Sequence, residues 1–489
     1  MNNDVKSDYE VIVLGAGFGG LGMAAQLKLA GRDDFLIVEA GDEVGGVWRE
    51  NSYPGSACDT EAHLYCYSFF PHLRVSRMYA GRDELLGYVK ALVRRFELED
   101  KIQLNSRIDV AEWDASVNRW RFKTSDGSTL TSRFFVPAWG QLNRPSIPPF
   151  NGLETFAGER FHSANWKHDV NLIGKKVASV GNAASAVQYV PAIAPVVDHL
   201  TVFQRSANWI MPRNQIVFSE EQLEAYESNP ALFEASRKSL HEFRETGFQR
   251  TRHGTDAQKE GIRIALEHLE KQVPDEALRR KLTPDYEFAC KRILRSDDYF
   301  PALMRSNVML ETNPIAQFVP DGIVTADGTH HFFDVVIFGT GFESQAFNGD
   351  LDVFGRGKRK LRDAWSAGAE AYLGMTVPDF PNMFMIYGPN TNLNHNSIIT
   401  MLEIQQRYVI DAVEDLGGRG SAVEVKADVF ASFNTHLQAA MENSAFSSNC
   451  SSWYKNAAGK VINNWSGTVD EYRALAGWSS AHYVLHPEP

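Results

Sequence analysis

The sequence predicts an α/β protein, because apolar strands alternate with helix-forming segments and lead directly into glycine-containing loops. Residues 11–14 and 177–180 are continuous apolar runs, and each passes through such a loop into a helical pattern. A third apolar stretch, within residues 333–343, contains Gly-Thr-Gly at its end. Continuous apolar runs of this kind are typical of parallel strands that are buried on both faces of a sheet. We therefore expect two Rossmann-like units in one chain.

The first loop has the spacing Gly-x-Gly-x-x-Gly, at Gly15, Gly17 and Gly20. The first glycine permits a tight turn, the second lets the backbone approach a pyrophosphate, and the third allows strand and helix to pack closely. The N–H groups at the helix N-terminus then face the phosphates. The next apolar strand, residues 35–38, ends at Glu39, whose carboxylate accepts hydrogen bonds from a ribose diol. This order of elements predicts a dinucleotide-binding site.

The segment that follows Glu39 favours FAD over NAD as this dinucleotide. Residues 41–65 form a long glycine-rich loop that includes Trp48, Tyr53 and Pro54. A loop of this length is able to lie along a cofactor that extends beyond the first dinucleotide loop. The first unit is therefore predicted to bind FAD.

The second loop, residues 181–186, repeats the pattern with alanine in place of two glycines. We expect the methyl group of Ala183 to crowd the approach to a pyrophosphate. The next predicted strand leads to Arg205 and Ser206, in the position that Glu39 has in the first unit. An arginine in place of the acid accommodates the 2′-phosphate of NADP. The second unit is therefore predicted to bind NADP, with an ordinary surface arginine as the alternative for Arg205.

Length sets the expected domain organisation, since 489 residues are too many for one ordinary core. We expect the first part of an FAD-binding domain at residues 1–142 and an NADP-binding domain at residues 143–345. Residues 346–489 are expected to return to the FAD-binding domain and to form the C-terminal region. A helical insert is predicted at about residues 217–283 of the NADP-binding domain.

Two local patterns support the helical insert. Ser219 and Gln222 have the spacing of a capping box at a helix N-terminus. Further along, four apolar residues share one predicted helical face and are interpreted as packing residues: Ile262, Leu266, Leu269 and Val273.

Charge and cysteine usage exclude several classes of protein. The net charge of −12 argues against nucleic acid as a partner, because phosphate binding needs a basic face. The four cysteines, Cys58, Cys66, Cys290 and Cys450, show no CxxC spacing, so we expect reduced thiols and neither a zinc site nor a disulfide. No apolar run approaches the roughly 20 residues of a membrane helix. The sequence predicts a cytoplasmic protein with no metal, membrane or nucleic-acid partner, and it leaves the oligomeric state open.

The most specific motif is FAGERFHSANW, which follows the first unit. Its residues Phe156, Gly158, His162 and Trp166 match the fingerprint F-x-G-x-x-x-H-x-x-x-W of the flavin-dependent Baeyer–Villiger monooxygenases. The sequence resembles this family over almost its whole length. The fingerprint departs only at Lys167, where the family has proline or aspartate.

Other stretches of the chain also resemble this family. They are GGVW at residues 45–48, YPGSACD at 53–59, FQRSANW at 203–209 and PNTNLNHNS at 389–397. The resemblance assigns the following residues to FAD or NADP: Gly15, Gly17, Gly20, Glu39, Gly46, Trp48, Asp59, Gly181, Ala183, Ser185, Arg205, Ser206, Lys291 and Asn390. Within this set, Lys291 is implied as a further contact for the NADP 2′-phosphate.

The resemblance implies an NADPH- and O₂-dependent enzyme that converts ketones to esters or lactones through a C4a-peroxyflavin. It assigns Arg292 to keeping the peroxide anionic, because a guanidinium does not lose its proton in proteins. It assigns Asp59 to orienting that arginine. His162 is implied to lie in the linker between the two domains and to couple cofactor binding to domain movement, with a purely structural histidine as the alternative.

Three other readings remain open from the sequence. A flavin monooxygenase that oxidises sulfur or nitrogen has the same cofactors and differs in the protonation of the peroxide. A two-nucleotide disulfide or dye reductase is expected to carry a redox-active cysteine pair such as CxxC, which this chain lacks. A non-enzymatic NADP sensor is the third alternative, and purification without bound yellow flavin favours it.

Overall fold

The computed structural model of the protein describes residues 8–417 and 422–488. Its strands are β1 (Asp8–Leu14), β2 (Phe35–Val38), β3 (Ile102–Gln103), β4 (Ile108–Asp114), β5 (Arg119–Thr124), β6 (Thr129–Pro137), β7 (Glu159–His162), β8 (Lys176–Val180), β9 (His199–Phe203), β10 (Ile210–Met211), β11 (Leu294–Arg295), β12 (Val308–Glu311), β13 (Ile315–Val319), β14 (Gly322–Thr325), β15 (His330–Phe332), β16 (Val335–Phe338), β17 (Asp352–Phe354), β18 (Ala422–Val425) and β19 (Tyr483–His486).

The α-helices of the described residues connect and cover these strands. They are α1 (Phe18–Leu29), α2 (Val47–Glu50), α3 (Arg82–Arg95), α4 (Ala184–Ile193), α5 (Glu220–Ser228), α6 (Pro230–Thr246), α7 (Asp256–Gln272), α8 (Glu276–Leu282), α9 (Tyr299–Leu303), α10 (Leu361–Ala364), α11 (Ile398–Leu416), α12 (Ala427–Met441) and α13 (Val469–Leu475). In the part of the chain that the structure describes, no helix has the length and apolar composition needed to cross a membrane.

The first sheet has seven strands in the order β17-β4-β5-β6-β1-β2-β3. Its centre is parallel, since β1 pairs in parallel with both β2 and β6. Val11, Ile12 and Val13 of β1 are fully buried, as expected for a central strand with covered faces. Helices α1 and α11 pack against each other on this sheet.

The second sheet has five strands, in the order β12-β9-β8-β16-β7, and all of them are parallel. Strand β16 therefore inserts between β8 and β7, although it lies far from both along the chain. Together the two sheets confirm the predicted fold class, an α/β protein with two Rossmann-like dinucleotide-binding units. The apolar runs predicted at residues 11–14, 35–38 and 177–180 are strands β1, β2 and β8.

Two segments, residues 138–158 and 339–351, connect the two sheets and contact each other. Ser146 N donates to Gly341 O over 2.9 Å, and Thr340 Oγ1 donates to Ser146 O over 2.6 Å. The chain therefore leaves the first sheet and returns to it through paired connections. Strand β17, which follows the return, pairs with β4 of the first sheet.

Helices α5 to α8 occupy residues 220–282, between β10 and β11. The capping box at the start of α5 is present, because Ser219 and Gln222 each bond to the other's backbone N–H. Of the predicted packing face, Leu269 and Val273 are buried, whereas Leu266 is 37% exposed. The buried face of α7 instead passes through Ala265. The prediction that Leu266 is a packing residue is therefore wrong, because the buried face of the helix is rotated by about one residue from the predicted face.

The cysteines differ from the sequence expectation in one respect. Cys290 and Cys450 form a disulfide, with their Cα atoms 6.4 Å apart, so the expectation of four reduced thiols is wrong. Cys58 and Cys66 are free and buried, as expected. The bridge joins residues that are 160 positions apart in the chain. No local spacing signals such a pair, because only the fold brings the two cysteines together.

Candidate functional site

The loop after β1 has the close contacts that its glycines predict. Gly15 has a φ of +98°, and a Cβ on it would lie 2.8 Å from Ala138 O. A Cβ on Gly20 would lie 1.9 Å from Gly15 O, so only glycine allows α1 to pack this closely against β1. Gly17 is the N-cap residue of α1 and provides no side-chain cap. The N–H groups of the first helical turn are therefore without a side-chain partner at this end, as an anion site requires.

The segment after Glu39 folds back over this loop. Gly46 has a φ of +54°, and a Cβ on it would lie 2.9 Å from the Cα of Gly17. Trp48 is buried, and its Nε1 donates to the hydroxyl of Tyr65 over 3.2 Å. The two glycine-rich segments therefore approach each other at backbone distance beside the N-terminus of α1, and we refer to this pair of segments as the first cradle.

Glu39 lies at the end of β2 and is fixed by backbone amides. Its Oε2 accepts from Ala16 N and its Oε1 from Gly41 N, both over 2.7 Å. A carboxylate has about four acceptor positions, so these two bonds leave capacity for a diol. The orientation of Glu39 is thus set by the same loop that contains Gly15 and Gly17.

Arg292 and Asp59 form an ion pair with two-pronged geometry. Arg292 Nε donates to Asp59 Oδ2 over 3.1 Å, and its second terminal nitrogen donates to Oδ1 over 2.7 Å and to Oδ2 over 2.6 Å. Asp59 belongs to the segment that covers the first loop, whereas Arg292 lies two residues before the start of β11. One ion pair therefore connects the first nucleotide unit with the segment that follows the helical insert.

Both partners are charged, as their electrostatic surroundings require. Burial works to raise the pKa of Asp59, but the positive charges of Arg292, Arg244 and Arg295 outweigh it, and the pKa lies below its usual value. The Asp59 charge raises the pKa of Arg292 further above its already high value, against the effect of burial. The pair therefore presents a permanent guanidinium charge beside a permanent carboxylate.

Arg244, on α6, also contacts this pair and was not predicted from the sequence. Its terminal nitrogen donates to the backbone oxygen of Asp59 over 3.3 Å, and its Nε donates to Glu61 Oε2 over 2.7 Å. Tyr387 and Tyr454 lie close enough for the Arg292 charge to act on their hydroxyls. None of these residues belongs to a local motif, because each comes from a different part of the chain.

The second loop has the same backbone geometry as the first. Gly181 has a φ of +102°, and a Cβ on it would lie 2.5 Å from Gly339 O. Ala183 is the N-cap residue of α4 and is exposed, and Ser185 in the first turn is partly exposed. The methyl group of Ala183 is therefore not confined by the surrounding protein.

Arg205, Ser206 and Lys291 come together beside this loop. Lys291 Nζ donates to Ser206 Oγ over 3.1 Å, and the ammonium group lies 4.1 Å from the centre of the Tyr286 ring. Burial lowers the pKa of Lys291, and the nearby charge of Arg205 lowers it further. Arg205 itself is exposed. The structure thus places two positive charges and a hydroxyl at one surface, although 85 residues separate Ser206 from Lys291.

Asn390 is a buried residue with a φ of +57°. Its Nδ2 donates to the carbonyl oxygens of Val461 and Asn464, over 2.9 and 3.0 Å. Its Oδ1 is buried and has no hydrogen-bond partner among the described residues. The side chain of Asn390 therefore connects its own loop to the loop of Val461 and Asn464, and its Oδ1 is left as an acceptor for a ligand.

The fingerprint residues belong to the second sheet. Phe156 is buried in its core, and a Cβ on Gly158 would lie 2.4 Å from Asp334 O. Trp166 packs against Phe161 and Tyr189, with ring centres 5.1 and 5.6 Å away.

His162 is the last residue of the edge strand β7, so its implied place in the linker between domains is wrong. The strand pairs with β16, which gives the segment a sheet partner that its sequence did not reveal. The ring of His162 lies 5.7 Å from that of Phe342, in the connection that returns to the first sheet. Burial lowers the pKa of His162, and a contact with the backbone of Gly341 opposes this shift. A neutral, buried histidine therefore packs against the connecting segment.

Comparison with known proteins agrees with these two units. A family model described as pyridine nucleotide-disulphide oxidoreductase matches residues 12–258. A Baeyer–Villiger monooxygenase of Pseudomonas aeruginosa is 40% identical to this chain, over 95% of it and 89% of the relative. One of Streptomyces coelicolor is 38% identical, over 100% of this chain and 95% of the relative. The FAD-binding monooxygenase ktnD of Aspergillus niger is 36% identical, over 95% and 79%.

Solved structures show the same similarity over nearly the whole chain. A steroid monooxygenase in its oxidised form, bound to NADP, is 29% identical with a TM-score of 0.88, and the match covers 98% of this chain and all of that one. A closed form of cyclohexanone monooxygenase is 26% identical with a TM-score of 0.89, over 99% of this chain.

The fold and the two loops define an oxidoreductase that uses two dinucleotides. Within that class, the chain belongs to the Baeyer–Villiger monooxygenases. It is an enzyme that contains FAD and uses NADPH.

Proposed function

We propose that the enzyme converts a ketone to an ester or lactone and that Arg292 and Asp59 are at its catalytic centre. In the overall reaction, ketone, O₂, NADPH and a proton give ester, water and NADP⁺. The observation that carries the proposal is the Asp59–Arg292 ion pair, which joins the covering segment of the first nucleotide unit to the segment after the helical insert. The similarity to steroid and cyclohexanone monooxygenases supports it.

The first cradle fits FAD. Gly17 and Gly46 lie at backbone distance from each other, since a Cβ on Gly46 would lie 2.9 Å from the Cα of Gly17, so at these two positions no side chain blocks a pyrophosphate. The N-terminus of α1 supplies N–H donors to that pyrophosphate, and Glu39 supplies acceptors to the ribose. We assign residues 1–142 and 346–489 to this FAD-binding domain.

The second unit, residues 143–345, fits NADP. Ser206 is held by Asn182, whose Nδ2 donates to its backbone oxygen over 2.9 Å. Arg205 and Lys291 then present two cations for the 2′-phosphate, and charge-assisted hydrogen bonds of this kind are the stronger ones in proteins. Gly181 and Ser185 belong to the loop that faces the pyrophosphate in this assignment.

Bound FAD, once reduced by NADPH, supplies the activated oxygen. The role of the chain is to stabilise negative charge on the reacting oxygen, and Arg292 does so with a charge that persists at every physiological pH. Asp59 accepts from two nitrogens of that guanidinium, which fixes its plane and balances part of its charge. Such a preorganised charge is most effective where water is excluded.

The proposed compartment is the cytoplasm, and the Cys290–Cys450 disulfide of the structure argues against it, because disulfides are rare in reducing compartments. Alkylation of the protein from a cell lysate, unfolded without a reductant and followed by mass spectrometry, tests the proposed compartment. Full alkylation of both cysteines in the unfolded, unreduced protein agrees with a reducing compartment. Protection of both until a reductant is added contradicts it.

The experiment for the reaction itself is NADPH consumption with a panel of linear, cyclic and aryl ketones and sulfides, combined with product identification by mass. Ester or lactone that gains one ¹⁸O atom from labelled O₂ is the expected product. Sulfoxide formation without any ester places the enzyme instead with the monooxygenases that oxidise sulfur.

A further inference from the structure

A small polar cavity lies beside the Asp59–Arg292 pair. Its volume is about 60 Å³, room for a carboxylate or a few water molecules. Both residues of the pair line it, together with the end of α6 and residues 393–396. Its lining carries a net positive charge, because one acidic residue, Asp59, stands against four arginines: Arg244, Arg250, Arg292 and Arg295.

Two of these arginines have carboxylate partners. Arg292 pairs with Asp59 over 2.6 Å, and Arg244 pairs with Glu61 over 2.7 Å. Each of these pairs balances its own charge. Asp59 and Glu61 are therefore both engaged with other arginines of the cavity.

Arg250 and Arg295 have no such partner. Among residues 8–417 and 422–488, neither forms an ion pair with a carboxylate. Arg295 donates only a long hydrogen bond, 3.4 Å, to the carbonyl oxygen of Pro212. Both side chains are half-buried. A guanidinium stays protonated in proteins, so two positive charges at this cavity have no carboxylate paired with them among the described residues.

Other acidic residues in the neighbourhood are engaged elsewhere. Glu245 accepts from Asn396 over 2.7 Å and from the backbone of α13 at Asp470 over 3.0 Å. Glu260 pairs with Arg263 over 2.6 Å. Half-buried positive charges are costly unless they are paired. The cavity therefore has the charge and size of a binding site for a small anion.

We propose that this cavity binds a carboxylate of the substrate, so that the preferred substrates are ketones that also carry a carboxylate group. The inference rests on the proposed ketone oxidation and adds the substrate class to it. Arg250 and Arg295 determine this specificity, because guanidinium groups match the planar geometry of a carboxylate. Arg292 lies at the same cavity and at the proposed reaction centre, so an anchored carboxylate keeps the carbonyl of a chain of suitable length nearby.

The experiment compares two substrates that differ only in charge. The complete enzyme with FAD is assayed with a series of unbranched methyl ketones of increasing length that end in a carboxylate, and with their methyl esters. Both members of a pair have the same reacting ketone. At the best chain length we expect kcat/KM for the acid to exceed that for the ester about 10- to 100-fold, as for a charge-assisted contact.

The variants Arg250→Gln and Arg295→Gln test the assignment of residues. Each is expected to reduce the acid-to-ester ratio of kcat/KM about tenfold or more, and Arg250→Lys is expected to restore part of the ratio. Arg280→Gln removes an exposed arginine of the same helical insert, which pairs with Glu276, and leaves the ratio unchanged. FAD content and the midpoint of thermal unfolding, measured for each variant, show whether it is folded.

Three outcomes overturn the inference. The first is that kcat/KM for the acid does not exceed that for the ester at any chain length. The second is that folded variants keep the wild-type acid-to-ester ratio of kcat/KM. The third is that the variants act only by raising KM for NADPH. In the last case the arginines contribute to binding of NADPH and not to binding of the substrate. If the esters and acids alike give no oxygenated product although the flavin is reduced normally, the proposed ketone oxidation itself is wrong.

Discussion

The ion pair between Arg292 and Asp59 holds the charge proposed for catalysis and also joins two segments that are distant in the chain. Three hydrogen bonds of 2.6 to 3.1 Å fix the guanidinium, and among the described residues Asp59 is the carboxylate paired with it. Arg244 contacts the backbone of Asp59 and keeps the segment in place. Loss of any one of these side chains therefore affects the charge, the geometry or both.

Replacement of Arg292 by alanine is expected to abolish ester formation while FAD binding and reduction by NADPH persist. A preorganised charge at a reacting oxygen contributes about 100- to 1000-fold to the rate. NADPH oxidation is then expected to release hydrogen peroxide instead of ester. Rates of ester and hydrogen peroxide formation, measured together, provide the check.

Asp59→Asn is the comparison for that variant, because it keeps the shape of the partner and removes its charge. We expect a smaller loss of ester formation than for Arg292→Ala, since the guanidinium remains. Ester formation by Arg292→Ala at close to the wild-type rate would falsify the proposed role of Arg292.

Arg205 is predicted to distinguish NADPH from NADH. It is exposed beside Ser206 and Lys291, so only the 2′-phosphate of NADPH reaches its charge in the proposed assignment. Arg205→Ala is expected to raise KM for NADPH about 10- to 100-fold and to leave KM for NADH almost unchanged. Arg305→Ala, at another exposed arginine, is the control. Equal increases for both coenzymes contradict the assignment.

At the scale of elements, the helical insert is attached to the first unit by an aromatic cluster around a histidine. His63 is buried, with ring centres of Phe233 on α6 at 4.4 Å and Phe218 at 5.1 Å. Its Nδ1 lies 2.9 Å from Ser236 Oγ, also on α6. Burial, together with the charges of His72 and Arg237, lowers the pKa of His63 to about 4. The docked insert thus requires a neutral histidine.

This coupling predicts that stability falls between pH 6.5 and pH 4. An unfolded chain binds a proton at His63 below about pH 6.5, whereas the folded protein does so only near pH 4. The free energy of unfolding is therefore expected to drop by about 2 kcal/mol from pH 7 to pH 5 through this group. Urea unfolding at the two pH values measures the drop.

His63→Gln removes this titration and is expected to show a pH dependence flatter by that amount. His436→Gln, on the exposed side of α12, is the matched control and keeps the wild-type dependence. If His63→Gln and the wild type lose equal stability between pH 7 and pH 5, His63 is protonated in the folded protein and the prediction is wrong.

At the scale of the whole molecule, FAD is proposed to connect segments that are distant in sequence. The cradle is formed by the loop after β1, by residues 41–65 and by the backbone near Ala138, which a Cβ on Gly15 would contact at 2.8 Å. Tyr67, from the stretch just after this segment, contacts Gln406 on α11 over 3.3 Å. A bound dinucleotide is therefore expected to stabilise the packing of these separate segments against one another.

Removal of FAD is expected to lower the midpoint of thermal unfolding, and re-addition is expected to raise it in proportion to the logarithm of FAD concentration. At free FAD about 100-fold above Kd, the gain in the free energy of unfolding is about 2.7 kcal/mol. Riboflavin is the control, because it lacks the pyrophosphate that the N-terminus of α1 binds in this assignment. An apoprotein whose midpoint does not respond to FAD contradicts the proposed cradle.

The sequence by itself determined the local parts of this protein. Residues 35–38 are strand β2 as predicted, and the φ angles of Gly15 and Gly181 require glycine where the loops were predicted. Hydrophobic runs, glycine spacing and the capping box at Ser219 are short-range properties, so they are readable without the fold. The resemblance to a family also came from such local motifs, and the relatives confirm it.

Only the tertiary structure decided which distant residues meet. Asp59 and Arg292 are 233 positions apart, and Cys290 and Cys450 are 160 apart, so no spacing rule connects either pair. His162 is an edge-strand residue because β16 pairs with β7 from the far end of the unit. The unpaired arginines meet at one cavity only because the helical insert docks beside the first unit. Long-range pairing depends on how whole elements pack, and the sequence does not encode that packing in any local pattern.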